Sequence, residues 1–439
     1  MKKIRCLLIA ILFSLLANNC SIPLRHFPGS TELSLQQSLQ SSGVTGPASI
    51  NHIQILTSGS ETFQSLNYRL FNAKRSIYVS AYIYHSDFTG ARLAKTLMYK
   101  ARQGLDVRLL LDAWGSLYFK AEMQKDLEDA GVQVLFFREF EILRPYRHLL
   151  RNHRRLVLID DELALTGGFA VQDIWADLPV TRIQDLQAWV RGPLVIEMKS
   201  IFARDWCAIQ FNPEDPICES NSDSELAVQS IPAPSIAGPS TVQPSLPCNP
   251  LGNGCSGLAS VVFTSDAENR AANYEFYVRA VSQSQRRVWL VTPYFIPDSQ
   301  FMSTLTNAVQ RNVDVRLIVA SGESIQEFPV TYVRNPYLEK LLESGVKVYV
   351  YENGFLHSKA AIFDEGLSVL GTSNLDRRSF DYNHEIDIVS YDPRVNDSLE
   401  TVFRRYFSGS REIGHAEMKS RSLWVRMLEW IWWPLTPQL

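Results

Sequence analysis

Neither sign of charge is in excess in this chain: 43 Lys and Arg stand against 46 Asp and Glu, a formal net charge of -3. A protein that grips nucleic acid by its phosphates needs a basic excess, so a dedicated DNA or RNA binder is disfavoured and at most a local basic patch is left. No stretch approaches the roughly 20 apolar residues that a membrane-crossing helix requires. Cysteine is also scarce, six in 439 residues, and none forms a CxxC pair with zinc-ligand spacing. What is present is 46% hydrophobic and 11% aromatic. That is too apolar for disorder and too long for one typical core, so two domains or one large fused unit are expected.

Residues 1–20 read as an address. Lys2, Lys3 and Arg5 precede an apolar run from Cys6 to Leu16, with Ala17, Asn18 and Asn19 after it. Positive, then apolar, then small and polar is the order of a signal peptide. Cys20 sits where a lipoprotein signal places its lipidated cysteine, yet Asn19 is a poor match for the small residue preferred there. Lipidation, simple cleavage and a short anchor all stay open. Cys207, Cys218, Cys248 and Cys255 cluster in or beside a Pro/Ser-rich segment. Their even number suits two disulfides formed outside the cytoplasm, with three pairings possible and free thiols as the alternative.

Either side of that segment the sequence repeats itself. Arg75 to Tyr84 (RSIYVSAYIY), Asp106 to Asp112 (DVRLLLD) and Gly131 to Phe137 (GVQVLFF) are matched in order by Arg287 to Ile296 (RVWLVTPYFI), Asp314 to Ala320 (DVRLIVA) and Gly345 to Tyr351 (GVKVYVY). The short β-branched runs read as buried strands and the amphipathic stretches between them as helices, the pattern of an α/β sheet covered by helices. A repeat of this size implies two domains related by a pseudo-dyad, with a shared site between them. The expected organisation is domains at 51–212 and 260–410, a linker at 213–259 and a tail at 411–439.

At matching points in the two copies stand a histidine, a cation two residues on, an apolar run and an aspartate. These are His153, Arg155 and Asp160, then His357, Lys359 and Asp364; Gly167 and Gly371 follow at the same spacing. Side chains alternate along an extended chain, so each histidine and its cation share a face. One imidazole and one cation per copy then point into a common cleft.

These residues resemble the duplicated His-x-Lys-x4-Asp motifs of the phospholipase D superfamily, over nearly all of the chain from His52 to Phe407. Pro293 to Pro297 (PYFIP), Gly371 to Phe380 (GTSNLDRRSF), Asn383, Glu385, and Gly192 and Pro193 ahead of a helix ending in Trp206 are similar to the bacterial cardiolipin synthase branch. The resemblance implies two pseudo-dyad-related phospholipase D-like α/β/α sandwich domains with the active site at their interface. It implies one histidine attacking phosphorus and the other protonating the leaving alcohol, with no cofactor and no metal. By family convention His153 is the nucleophile and His357 the acid and base, although pseudo-symmetry leaves the reverse open. Lys359 and Arg155 would neutralise phosphoryl oxygens, and Asn374, with Thr372 or Ser373, would add hydrogen bonds. Glu385 and Asp185 would orient the imidazoles, while Asp160 and Asp364 would brace the fold. The first copy departs from the pattern at Arg155, a planar fork in place of an ammonium, and at Ala170, where the second copy has Asn374.

Around the first motif lie Arg144, Arg147, His148, Arg151, Arg154 and Arg155, a cluster suited to an anionic head group, with Arg151 and Arg154 expected to touch substrate. The tail holds Trp424, Trp430, Trp432 and Trp433 beside Arg421 and Arg426, a composition that favours a lipid interface. The leading expectation is a membrane-surface phosphatidyltransferase, exported to a bacterial cell envelope, that makes cardiolipin from phosphatidylglycerol. A phospholipase D releasing phosphatidic acid, a superfamily nuclease and a non-catalytic lipid binder are the rivals. Both histidines lie in one chain, so no partner protein is required.

Overall fold

The computed structural model describes residues 44–139, 150–178, 183–210, 212, 214–218, 249–265, 271–322 and 329–438. The expectations placed on residues 1–20, on Cys20 and Cys248, on Arg144, Arg147 and His148 and on most of 213–259 lie outside them. The first copy runs β1 (Val44–Leu56), α1 (Gly59–Phe71), β2 (Ser76–Ala81), α2 (Phe88–Arg102), β3 (Asp106–Asp112), α3 (Ala121–Asp129), β4 (Gln133–Phe137), β5 (Leu156–Ile159), β6 (Leu163–Gly167), β7 (Ile183–Gln184), β8 (Gln187–Arg191) and α4 (Leu194–Ile209). The second runs β9 (Cys255–Thr264), α5 (Ala272–Gln283), β10 (Arg287–Val291), β11 (Phe295–Ile296), α6 (Ser299–Gln310), β12 (Asp314–Ala320), α7 (Val330–Glu343), β13 (Lys347–Tyr351), β14 (Phe355–Leu356), β15 (Ala360–Phe363), β16 (Leu367–Gly371), β17 (Leu375–Asp376), α8 (Arg377–Asp381), β18 (Glu385–Ser390) and α9 (Pro393–Ser408). The chain closes with β19 (Ser410–Ile413), α10 (His415–Lys419) and α11 (Leu423–Trp432).

Fifteen strands form one sheet in the order β19-β13-β12-β10-β15-β16-β18-β9-β1-β8-β6-β5-β2-β3-β4. At its centre β1 and β9 pair antiparallel, His52 opposite Ser256 and Ile53 opposite Cys255. Outward from that pair each copy lays down its strands in the same sequence, so the expected pseudo-dyad passes between β1 and β9. The β-branched runs occupy the buried inner positions, as in Ser76–Ala81, buried along its whole length and parallel to β3.

Helices cover both faces. On one face α4 and α9 share a continuous core drawn from both copies, including Phe202, Trp206, Phe263, Trp289 and Phe403. On the other, each copy has its own core, one around Leu66, Leu97 and Leu109 and one around Phe276, Leu305 and Leu317. This shared layer and the β1–β9 pairing together fuse the two copies into one body.

Asp160 and Asp364 brace the fold in equivalent ways. Each sits at positive φ in a hairpin turn. Asp160 accepts hydrogen bonds from the backbone N–H groups of Lys74, Arg75 and Ser76 at 2.7–3.1 Å, and Asp364 from those of Gln285, Arg286 and Arg287 at 2.8–3.2 Å. A carboxylate receiving three N–H donors fixes where the neighbouring strand, β2 or β10, starts. Two boundaries differ from the sequence reading. Cys255 to Ala259, expected in the linker, belong to β9, and Ser410–Ile413, expected around the start of the tail, adds an edge strand against β13.

Candidate active site

The two histidines sit where each copy reaches across the interface. His153 N–H donates to the His384 carbonyl at 3.0 Å, and His357 N–H to the Gln184 carbonyl at 2.8 Å. Parallel pairing of β14 with β7, and the Asn152–His384 bridge, make these crossings alike. Each histidine is thereby set beside the residue following the acceptor, a carboxylate from the opposite copy. His153 Nδ1 lies 2.9 and 3.0 Å from the Glu385 oxygens, and His357 Nδ1 lies 2.8 Å from Asp185 Oδ2. An Nδ1–H donated to a carboxylate leaves the Nε2 lone pair facing the cleft.

The cations close over those lone pairs. Arg155 Nη2 is 2.8 Å from His153 Nε2, and Lys359 Nζ is 3.1 Å from His357 Nε2. All four groups are buried. Burial first, then the Lys359 charge, pushes His357 down to about 3 against the pull of Asp185. Burial, Arg155 and Lys359 hold His153 well below the usual imidazole range. Burial likewise brings Lys359 down to about 7, although Asp185 and Glu385 favour its charged form. Each copy's cation also acts on the other copy's histidine, so the two motifs form one electrostatic site. Burial and the neighbouring cations favour the neutral imidazole in both copies, the form in which Nε2 can carry a lone pair.

The two carboxylates are seated differently. Glu385 accepts from Thr372 Oγ1 at 2.6 Å, Ser379 Oγ at 2.7 Å and Asn383 Nδ2 at 3.4 Å. Burial still raises it to about 7. Asp185 is one methylene shorter and packs on bare Gly168, where an added Cβ would fall 2.1 Å from Asp185 Oδ1. Trp175 Nε1 and the Leu186 N–H are its donors, at 3.3 and 2.8 Å. Ser373 N–H donates to Asp387 at 3.1 Å. Asn374 Oδ1 and Arg155 Nε are buried without hydrogen-bond partners, the condition a polar ligand relieves.

Arg151 and Arg154, expected on substrate, lie in internal ion pairs instead. Arg151 Nε is 2.9 Å from Asp112 Oδ2, and Arg154 pairs with Asp205, each guanidinium also donating to main-chain carbonyls. Both arginines are 1% exposed. They brace the His153 segment.

Several residues escaped the sequence reading. Tyr82 packs edge-on to His153 with ring centroids 4.8 Å apart, and Trp175 does the same to His357 at 5.4 Å. The repeat held a clue to Tyr82, which occupies the same position in its copy as Tyr294 does in the other. Asp112 and Asp205 carry no such mark, since they act through partners 39 and 51 residues away.

Comparison with known proteins gives the family. A family model described as "Cardiolipin synthase, PLD-like domain" matches residues 66–206 and 277–407. Cardiolipin synthase 2 of Bacillus anthracis is 31% identical over 388 residues, 88% of this chain and 70% of that protein. The major cardiolipin synthase ClsA of Bacillus subtilis is 30% identical over 393 residues, 89% of this chain and 76% of that protein. In fold, the crystal structure of phosphatidylserine synthase from Haemophilus influenzae is similar, with a TM-score of 0.67 at 15% identity, covering 92% of this chain and 98% of that one. Two copies of the matched domain and relatives 30–31% identical over most of the chain make one conclusion: the chain belongs to the phospholipase D-like cardiolipin synthase family.

Proposed function

We propose that this protein is a phosphatidyltransferase that forms cardiolipin from phosphatidylglycerol through a phosphohistidine. The observation that carries the proposal is the pair of buried imidazoles, each oriented by a carboxylate from the opposite copy and each faced by a cation. In this reading His153 Nε2 attacks phosphorus, and the glycerol oxygen leaves with a proton from His357. His357 then takes the proton of a second phosphatidylglycerol hydroxyl, whose oxygen displaces His153. Arg155 and Lys359 stabilise the phosphoryl oxygens, and Asn374 adds a polar contact. The resting site holds His357 neutral; the incoming phosphodiester anion offsets the Lys359 and Arg155 charges and lets His357 carry the proton it must give.

Membrane association rests on α11. Its inward side carries Trp432, packed with Ile296 and Val333, and Glu429, buried against Arg421 at 2.6 Å and Asn335 at 2.9 Å. Its apolar side faces out, Leu423 86%, Trp424 65% and Trp430 78% exposed. A docked helix that leaves Leu423, Trp424 and Trp430 this exposed suits the lipid interface. Among the described residues, no helix is long and apolar enough to cross a membrane. Export is supported by the Cys207–Cys218 disulfide, since such bonds persist in oxidising compartments.

The test is purified protein with labelled phosphatidylglycerol vesicles in EDTA, products resolved by mass spectrometry, beside His357→Ala. Cardiolipin plus glycerol, lost in the variant, supports the transferase. Phosphatidic acid alone would replace it with hydrolysis, and unchanged lipid would contradict both.

A further inference from the structure

One buried carboxylate outside the cleft grips both chain segments that bring His153 and Glu385 together. Asp205, on the closing turns of α4, is 4% exposed. Its Oδ1 lies 3.0 Å from His384 Nδ1, while its Oδ2 pairs with Arg154 Nη1 and accepts from Asn152 Nδ2 at 3.3 Å. Arg154 and His384 are the chain neighbours of His153 and Glu385. They also tie the segments to each other: Arg154 Nε donates to the Glu385 carbonyl at 3.2 Å and His384 N–H to the Arg151 carbonyl at 2.8 Å, while Arg154 Nη2 reaches the Thr264 carbonyl at the end of β9 at 2.6 Å.

Asp205 is itself held firmly. Cys207, in the same turn, is disulfide-bonded to Cys218, and nearby Asp215 pairs with Arg108 at 2.6 Å. The second motif is braced otherwise. Ser358, the counterpart of Arg154, meets Tyr406 Oη on the closing turns of α9 at 2.7 Å and donates to the Gln184 carbonyl at 3.2 Å. A charged clamp therefore stands behind His153 and a neutral one behind His357.

We infer that Asp205 is a positioning residue: by holding Arg154 and His384 together it fixes the His153–Glu385 couple across the interface, keeping the proton on Nδ1 and the lone pair on Nε2. The inference rests on the reading of this cleft as the active site but concerns a residue that does not touch substrate. A slip of about 1 Å between the two segments is enough to cost about 10²-fold in rate.

Three variants test it: Asp205→Asn, the charge-balanced Asp205→Asn with Arg154→Met, and His384→Gln, which leaves the Arg154–Asp205 pair intact if the first does not fold. Two readouts are taken: kcat and KM for phosphatidylglycerol turnover, and the His153 ring tautomer by NMR of 15N-histidine-labelled protein without substrate, its signal assigned by His153→Gln. The expected result is kcat lower by about 10²-fold with KM nearly unchanged. His153 loses its fixed Nδ1–H pattern in the folded variants, including the double variant after its melting temperature recovers. A double variant, or His384→Gln, with wild-type melting, kcat and tautomer would overturn the inference. Absence of lipid turnover in the wild type would count against the proposed activity alone, because the tautomer decides the positioning claim without substrate.

Discussion

Lys359 stands 3.1 Å from His357 Nε2 and, after burial, is the largest cause of that imidazole's low pKa. Removing a positive charge favours the protonated ring, so Lys359→Met should raise the His357 pKa from about 3 toward the ordinary imidazole value near 6.5. The same change removes a cation from the transferring phosphoryl group, and turnover should fall by about 10²-fold or more. Histidine-resolved NMR titration beside kcat measurement checks both; an unmoved His357 would remove Lys359 from this electrostatic role. The two histidines and their cations were legible because they recur in register with a whole-domain repeat. Arg151 and Arg154 were misread because a basic cluster looks the same in sequence whether it faces a phosphate or a buried carboxylate. Their partners, Asp112 and Asp205, lie 39 and 51 residues away.

At the scale of elements, the strand and helix order followed from periodicity, because buried parallel strands are unbroken apolar runs. The edge strand β19 did not, since four residues set too short a pattern and its place is decided by pairing with β13. The composition of the last segment had marked α11 as interfacial, but only the fold reveals which side is outward. Trp424→Ser with Trp430→Ser should lower partitioning onto anionic vesicles by about tenfold or more while leaving the melting temperature within a degree or two, because both side chains are largely exposed. Vesicle sedimentation beside thermal unfolding measures this; a lower melting temperature with unchanged partitioning would mean that the tryptophans serve packing instead.

For the whole molecule, the crossed carboxylates make a single copy insufficient. Glu385 orients His153 and Asp185 orients His357, so each copy supplies the other's tautomer-fixing carboxylate. The shared core beneath α4 and α9, drawn from both copies, is also laid open if the copies part. Separately produced copies should therefore show no turnover alone, with activity returning only on mixing, if both remain soluble; activity in either copy alone would contradict the crossed arrangement. This crossing was not legible in sequence, which places Asp185 nearest the first motif and Glu385 nearest the second.

The measurement closest to the central claim is a rapid quench of wild-type protein with phosphatidylglycerol into alkaline denaturant, which spares a phosphohistidine, followed by peptide mass spectrometry. The account predicts a phosphatidyl adduct on the peptide carrying His153, absent in His153→Ala. An adduct on His357, or turnover with no histidine adduct in a quench shown to preserve one, would contradict it.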